Sequence, residues 1–192
     1  ILTPGDGRIV LQGVSIDDIA YLPQAADVQD DFPISVLQMV ATGFWKQSGG
    51  FGGIDRSLKA RAMEALEAVG LQGFAARQLG SLSVGQFQRA LFARVLLQDA
   101  RLILLDEPFT AIDAETTARL LEIVQRWHSE KRTVICVLHD LDQIRRHFPE
   151  CLLMARECVA WCDSGEALKP EHLLNARFFR EAWQTNPEIC HQ

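Results

Sequence analysis

The feature that most constrains this chain is the segment Arg101–Asp106, whose apolar run Leu102-Ile103-Leu104-Leu105 closes on the acid pair Asp106-Glu107 and on Pro108. Such a run suits a strand buried on both faces, the habit of parallel sheets covered by helices. Thr133–Leu138, β-branched and apolar, repeats the pattern. Around these strands the apolar spacing is helical. Ser57–Val69 places Leu58, Ala62, Ala65, Leu66 and Val69 at three- and four-residue steps, and Gly70 stops it. Val84–Gln98 reads as a helix. So does Glu115–Ser129, with Ala118, Leu121 and Val124 on one stripe. Helix and strand alternate, so the expected class is α/β with a parallel sheet. A strand ending in two carboxylates sets them at the C-terminal edge of that sheet, where α/β proteins bind ligands.

The remaining elements are shorter. Residues 8–14 and 18–22 are predicted as strands around a turn at Ser15-Ile16-Asp17, and Ile34–Phe44 as a helix begun near Pro33. Ser48-Gly49-Gly50-Phe51-Gly52-Gly53 is predicted as a loop, because its glycines defeat regular structure. Cys151–Ala155 and Cys158–Cys162 read as a terminal strand pair, and Pro170–Ala176 and Phe178–Gln184 as two short helices. A length of 192 residues suits one domain. The net charge of −6 argues against nucleic acid as a partner, which requires a basic field.

No apolar run approaches the roughly 18 residues needed to span a membrane, so any membrane role is expected to be peripheral. The start, Ile1-Leu2-Thr3-Pro4-Gly5, carries neither a signal peptide nor an initiator Met, and the chain reads as a fragment or processed product. Five cysteines without a secretion signal favour free thiols in a reducing cytosol. Cys158 and Cys162 lie four apart, with His172, Cys190 and His191 later. That is not a strong zinc spacing. Two thiols packed on one strand face is the expectation.

Within this frame, short motifs succeed one another in a fixed order. Gln24 closes Ile19-Ala20-Tyr21-Leu22-Pro23-Gln24. Then come Leu82-Ser83-Val84-Gly85-Gln86, the Asp106-Glu107 pair, Ala111-Ile112-Asp113, and His139-Asp140. Each has an ordinary reading. Ser83 with Gln86 is a capping box, Asp113 an N-cap, Gln24 a residue after a strand, and His139 the start of the next helix. Each also has a chemical one. A capped helix start presents unpaired N–H groups and the positive end of a dipole to a phosphate, and Gly85 lets the backbone come close. Adjacent acids leave the chain in different directions, so Asp106 can hold Mg²⁺ while Glu107 faces an attacking water as general base.

The order and spacing of these motifs resemble the Q-loop, signature, Walker B, D-loop and H-loop of the ATP-binding-cassette (ABC) ATPases. The resemblance covers about residues 1–165. It implies a P-loop NTPase-like nucleotide-binding domain: a partial ATPase domain at 1–168, with a helical subdomain at about 31–98 carrying the signature, then a C-terminal helical tail at 169–192. It implies ATP and Mg²⁺ as cofactors, with Asp106 and Gln24 on the Mg²⁺. Glu107 would be the base and His139 the switch histidine on the γ-phosphate. Ser83, Gly85 and Gln86 would grip the nucleotide of the opposite subunit, and Asp113 would sit at the dimer interface. Val84 stands where the family usually has glycine. The phosphate-cradling G-x-x-x-x-G-K-[ST] loop occurs nowhere in these residues, so this chain alone is expected to be inactive. Thr3-Pro4-Gly5-Asp6-Gly7-Arg8-Ile9 resembles the turn and strand that come after that loop's helix.

Within the family, Asp31-Phe32-Pro33-Ile34-Ser35-Val36, the Gly-rich stretch to Asp55-Arg56, Asp106–Asp113 and the tail from Cys158 to Arg177 are most similar to ATPases of zinc and manganese importers. The resemblance implies a homodimer of ATPase subunits and an integral membrane permease subunit, with an extracytoplasmic metal-binding protein engaged indirectly. It places the protein in the cytoplasm, peripheral on the inner face of the cell membrane. The permease is expected to dock on Gln24–Gly53, with Phe32, Phe44, Trp45 and Phe51 as candidate contact area, and at least two of these aromatics are expected to fill the domain's own core instead. The alternatives are a non-catalytic or regulatory ABC fragment, and an ABC ATPase for another substrate, including DNA repair or translation.

Overall fold

A computed structural model of the chain describes residues 6–24, 33–48, 55–155 and 157–185. Phe32, Phe51, most of the Ser48–Gly53 loop, and Cys190 and His191 lie outside the described residues. Two compact units are present, one ending at Val137 and the other beginning at Leu138.

The first unit is built on a parallel sheet of β1 (Ile19–Leu22), β2 (Leu102–Asp106) and β3 (Thr133–Val137), with β2 in the middle. The register aligns Ala20, Ile103 and Val134 across the sheet, then Leu22, Leu105 and Cys136. Register partners share a face, and this face is the buried one: Ala20, Leu22, Ile103 and Leu105 are almost wholly covered. The other face is half open, with Ile135 at 54% and Val137 at 49% exposure. Burial on both faces, the sequence expectation, therefore holds for one face only among the described residues. Residues 8–14 form no strand, and Ile9 and Val10 are exposed. Without a partner strand, an extended segment has nowhere to send its backbone hydrogen bonds.

Among the described residues, four α-helices lie between β1 and β2: α1 (Val36–Ala41), α2 (Trp45–Ser48), α3 (Arg56–Ala68) and α4 (Val84–Leu97). Ser35 and Gln38 cap α1 reciprocally, and Asp55 caps α3 by accepting the Leu58 N–H at 2.8 Å. A tight turn over Thr42–Phe44 separates α1 from α2. It passes so close to α4 that a Cβ at Gly43 would overlap the Arg94 carbonyl and come within 2.9 Å of Leu97 Cβ. Phe44 is buried in the core while Trp45 is 66% exposed. Arg94 on α4 donates to the Tyr21 carbonyl of β1 at 2.8 Å, tying helix to sheet. α5 (Ala114–Ser129) connects β2 to β3, and its Trp127 stacks on Phe92 of α4 at 5.5 Å between centroids.

The second unit holds α6 (Leu141–His147), the antiparallel pair β4 (Glu150–Ala155) and β5 (Glu157–Asp163), α7 (Ser164–Ala167) and α8 (Pro170–Thr185). Ser164, buried, donates to the Phe148 carbonyl at 2.6 Å, and Arg145 donates to the Leu168 carbonyl at 2.6 Å. A bulge shifts the β4–β5 register between Leu153 and Met154. It turns Cys158 outward opposite Met154, while Cys162 faces Cys151, half-buried. The two thiols four apart therefore do not share a face, because the extra residue breaks the period of two. α8 is one continuous helix where two were expected, since neither Gly nor Pro interrupts Glu171–Gln184. Among the described residues no helix is long and apolar enough to cross a membrane.

Candidate functional site

β1 and β2 run parallel, so the residues just past their C-terminal ends come out at the same sheet edge. Gln24 lies two residues past the end of β1, and Glu107 directly succeeds β2. Across a sequence separation of 83 residues, Nε2 of Gln24 donates to Oε2 of Glu107 at 3.0 Å. Thr110 Oγ1 donates to the same oxygen at 3.2 Å. An ionised carboxylate has lone pairs for both. Two of the motif residues named from sequence are thus in direct contact, and Thr110 joins them.

The backbone of Glu107 is unusual. Its φ is +45°, a region that residues other than glycine rarely occupy. Three bonds hold it there. Its N–H donates to the Val137 carbonyl of β3 at 3.2 Å; its carbonyl accepts the Thr110 N–H at 3.3 Å and Nε2 of Gln88 at 3.2 Å. Ala111, four residues on, is also left-handed at +59°. Asp106 ends β2 opposite Val137, half-buried. The nearby Cys136 thiol is pushed up to about 12, by burial first and by the Asp106 charge second.

The start of α4 meets this turn. Ser83 Oγ accepts the Gln86 N–H at 3.3 Å, and Gln86 Oε1 accepts the Ser83 N–H at 3.0 Å, which completes the capping box. Gly85 abuts the turn so closely that a Cβ there would overlap the Ala111 carbonyl oxygen. The glycine is thus required by a neighbour within the chain. Val84 projects outward at 59% exposure. Asp113 caps α5, accepting the Thr116 N–H at 2.9 Å and the Thr116 hydroxyl at 2.8 Å, and these bonds hold its carboxyl below the usual range. His139 belongs to the second unit. It is exposed and stands just before Asp140, which caps α6 by accepting the Asp142 and Gln143 N–H groups at 2.9 and 3.1 Å.

Asp106 and Glu107 at the end of β2 and Gln24 past the end of β1 bring carboxylate and amide oxygens to one sheet edge. That chemistry fits Mg²⁺, which is held by one or two carboxylates together with substrate phosphates. Two contributors escaped the sequence reading. Thr110 gave no signal beyond its place in the turn. Gln88 did: it is a polar residue on the apolar stripe of α4, three, four and seven residues before Leu91, Phe92 and Val95.

The family model for ABC transporters matches residues 1–110. A protein of Chlamydia trachomatis described as a metal transport system ATP-binding protein is 40% identical over 158 residues, covering 82% of this chain and 61% of that protein. A manganese transport system ATP-binding protein of Synechocystis is 34% identical over 182 residues, covering 90% of this chain and 68% of that protein. The chain thus spans about three fifths of the chlamydial relative. Among solved structures, a transporter described as of the metal-chelate ABC type, in an inward-facing conformation, aligns with a TM-score of 0.76 at 28% identity. The alignment covers 92% of this chain and 68% of that one.

Proposed function

This chain belongs to the ABC transporter family, and from that premise we propose that it is part of the ATP-hydrolysing subunit of an importer for a divalent metal, zinc or manganese. The observation that carries the reading is the hydrogen bond from Gln24 to Glu107. It joins two motifs that are far apart in sequence at the edge where ligands of parallel sheets bind.

In this reading Glu107 takes the proton of the attacking water. Gln24 and Thr110 orient its carboxylate. Asp106 and Gln24 would hold Mg²⁺, which when bound neutralises phosphate charge. His139 contacts the γ-phosphate. The N–H groups at the start of α4, with Ser83, Gly85 and Gln86, face the nucleotide of a second copy, and Asp113 lies between the copies. Residues 1–192 hold no G-x-x-x-x-G-K-[ST] loop to cradle phosphates, so by themselves they should show no appreciable ATP turnover. The subunit works at the inner face of the membrane on a permease that docks on the region 24–53. Transport is driven by ATP-dependent closure of the dimer. Selectivity for the metal lies in the partner subunits, since nothing in this site reads the cargo.

The test is Glu107→Gln in the full-length protein. The amide keeps the shape of the side chain but accepts no proton. ATP binding should persist while hydrolysis falls by about 100-fold or more. Hydrolysis at the parental rate would remove the base assignment. Deletion of the gene should lower cellular zinc or manganese by elemental analysis. A defect confined to a sugar or amino acid would move the cargo to another class.

A further inference from the structure

We infer that Gln88 is a positioning residue that ties the geometry of Glu107 to the orientation of helix α4, and so couples the two nucleotide half-sites carried by one chain. This rests on the reading of Glu107 as the base. Gln88 is fully buried. Its neighbours on the helix stripe, Leu91, Phe92 and Val95, are apolar and buried, so packing alone would be served as well by leucine. Among the described residues its Oε1 has no hydrogen-bond partner, an unfavourable state for a buried amide. The bond the amide does make runs from Nε2 to the Glu107 carbonyl at 3.2 Å.

That bond falls on a peptide in a sparsely populated conformation. A glutamate at φ +45° stays there only when its surroundings over-determine it. Val137 of β3 holds the N–H side, and Gln88 of α4, with the Thr110 N–H, holds the carbonyl side. Gly85, three residues before Gln88 on the same helix, packs against the Ala111 carbonyl at the far end of the same turn. Helix α4 thus grips the Glu107–Ala111 turn at two points. Its N-cap Ser83 and first-turn Gln86 meet the nucleotide of the second copy in this reading, whereas Glu107 meets this copy's own. An α-helix moves as a rod over one turn. A tilt of its start on engaging the partner's nucleotide shifts Nε2 of Gln88, and with it the peptide that aims the carboxylate.

The experiment uses the full-length protein with Gln88→Leu and Gln88→Glu. Gln88→Leu keeps the packing and removes the donor. It should lower kcat by about tenfold or more through misplacement of the base, with the Kd for ATP within about twofold of the parent. Gln88→Glu should be pH-dependent: a protonated carboxyl donates to the Glu107 carbonyl and an ionised one does not. Its rate relative to the parent should fall as pH rises from about 6 to about 9, the range over which a buried glutamate titrates. Because a buried carboxylate loosens the fold once ionised, thermal unfolding is followed at each pH: a merely structural role lowers Tm and rate together, whereas a positioning role lowers the rate of protein that stays folded. Parental kcat in Gln88→Leu would overturn the inference, as would a Gln88→Glu ratio flat with pH; if the leucine variant does not fold, the glutamate profile decides. Failure of these variants leaves the base assignment standing, provided Glu107→Gln is itself inactive. A fully active Glu107→Gln overturns both.

Discussion

Replacing Gly85 with alanine sets two effects of opposite sign against each other. Gly85 lies in the first turn of α4, where alanine gains up to about 1 kcal/mol of helix propensity. Against this, the new Cβ would overlap the Ala111 carbonyl oxygen. Forcing extra volume into a packed site costs about 1–3 kcal/mol. The oxygen cannot easily move aside. Ala111 already sits at φ +59°, and the turn around it is held by Thr110 N–H on the Glu107 carbonyl and Ile112 N–H on the Phe109 carbonyl, both at 3.3 Å. The steric term should win by about 1–2 kcal/mol, which for a protein of this size lowers Tm by about 2–8 °C. Thermal unfolding monitored by circular dichroism measures it. A Tm equal to or above the parent's would mean that propensity dominates and that α4 does not press on the turn.

The packing and the surface charges give two further expectations. Phe92→Ala removes the ring that stacks on Trp127 at 5.5 Å and should cost about 3–5 kcal/mol; denaturant titration checks it, and a loss below about 1 kcal/mol would mean the site collapses freely. Asp18, bonded by Lys46 at 2.6 Å, has its carboxyl lowered to about 2 by that hydrogen bond and by Ser15. A lowered acid stabilises the fold above its unfolded value and loses that contribution as pH falls from about 4 to about 2. Asp18→Asn should therefore flatten acid unfolding in that window, and because the pair is at the surface, the difference from the parent should fade in about 1 M salt.

Local signals carried most of the fold. Helix α3 was expected over Ser57–Val69 and runs over Arg56–Ala68, because its apolar spacing is regular and Gly70, at φ +69°, stops it. The strands β2 and β3 were legible as apolar runs for the same reason. The failures are non-local. Residues 8–14 have strand composition but, among the described residues, no partner strand. Cys158 was placed beside Cys162 by a strict period of two, and a bulge that no composition signal marks separates them. For the candidate site, the motif residues could be named from the sequence, but their contacts could not. That Gln24 touches Glu107 depends on the register pairing Leu22 with Leu105. The left-handed Glu107 is invisible in a sequence that puts glutamate there without glycine. Gln88 was legible as a polar intruder on an apolar stripe, but its target was not.

The pairing of β1 with β2 has a consequence for how the chain folds. Ile19 aligns with Leu102, so on the ribosome β1 and Gln24 emerge long before the strand and the glutamate they need. Pairings between distant segments close large loops and form late, whereas helices close over short distances and form early. The helices α1–α4, which fill that interval, can assemble first. Their capped termini and the Gly43 crossing of α4 bring the ends of the interval together. Helix α4 leads directly into β2, and Arg94 on its last turn is placed to capture the Tyr21 carbonyl of β1. The contact between Gln24 and Glu107 is then among the last to form. Slowing the maturation of α4, for example by a proline at an exposed interior position, should delay hydrogen-exchange protection of β1 and β2 more than the appearance of helical signal.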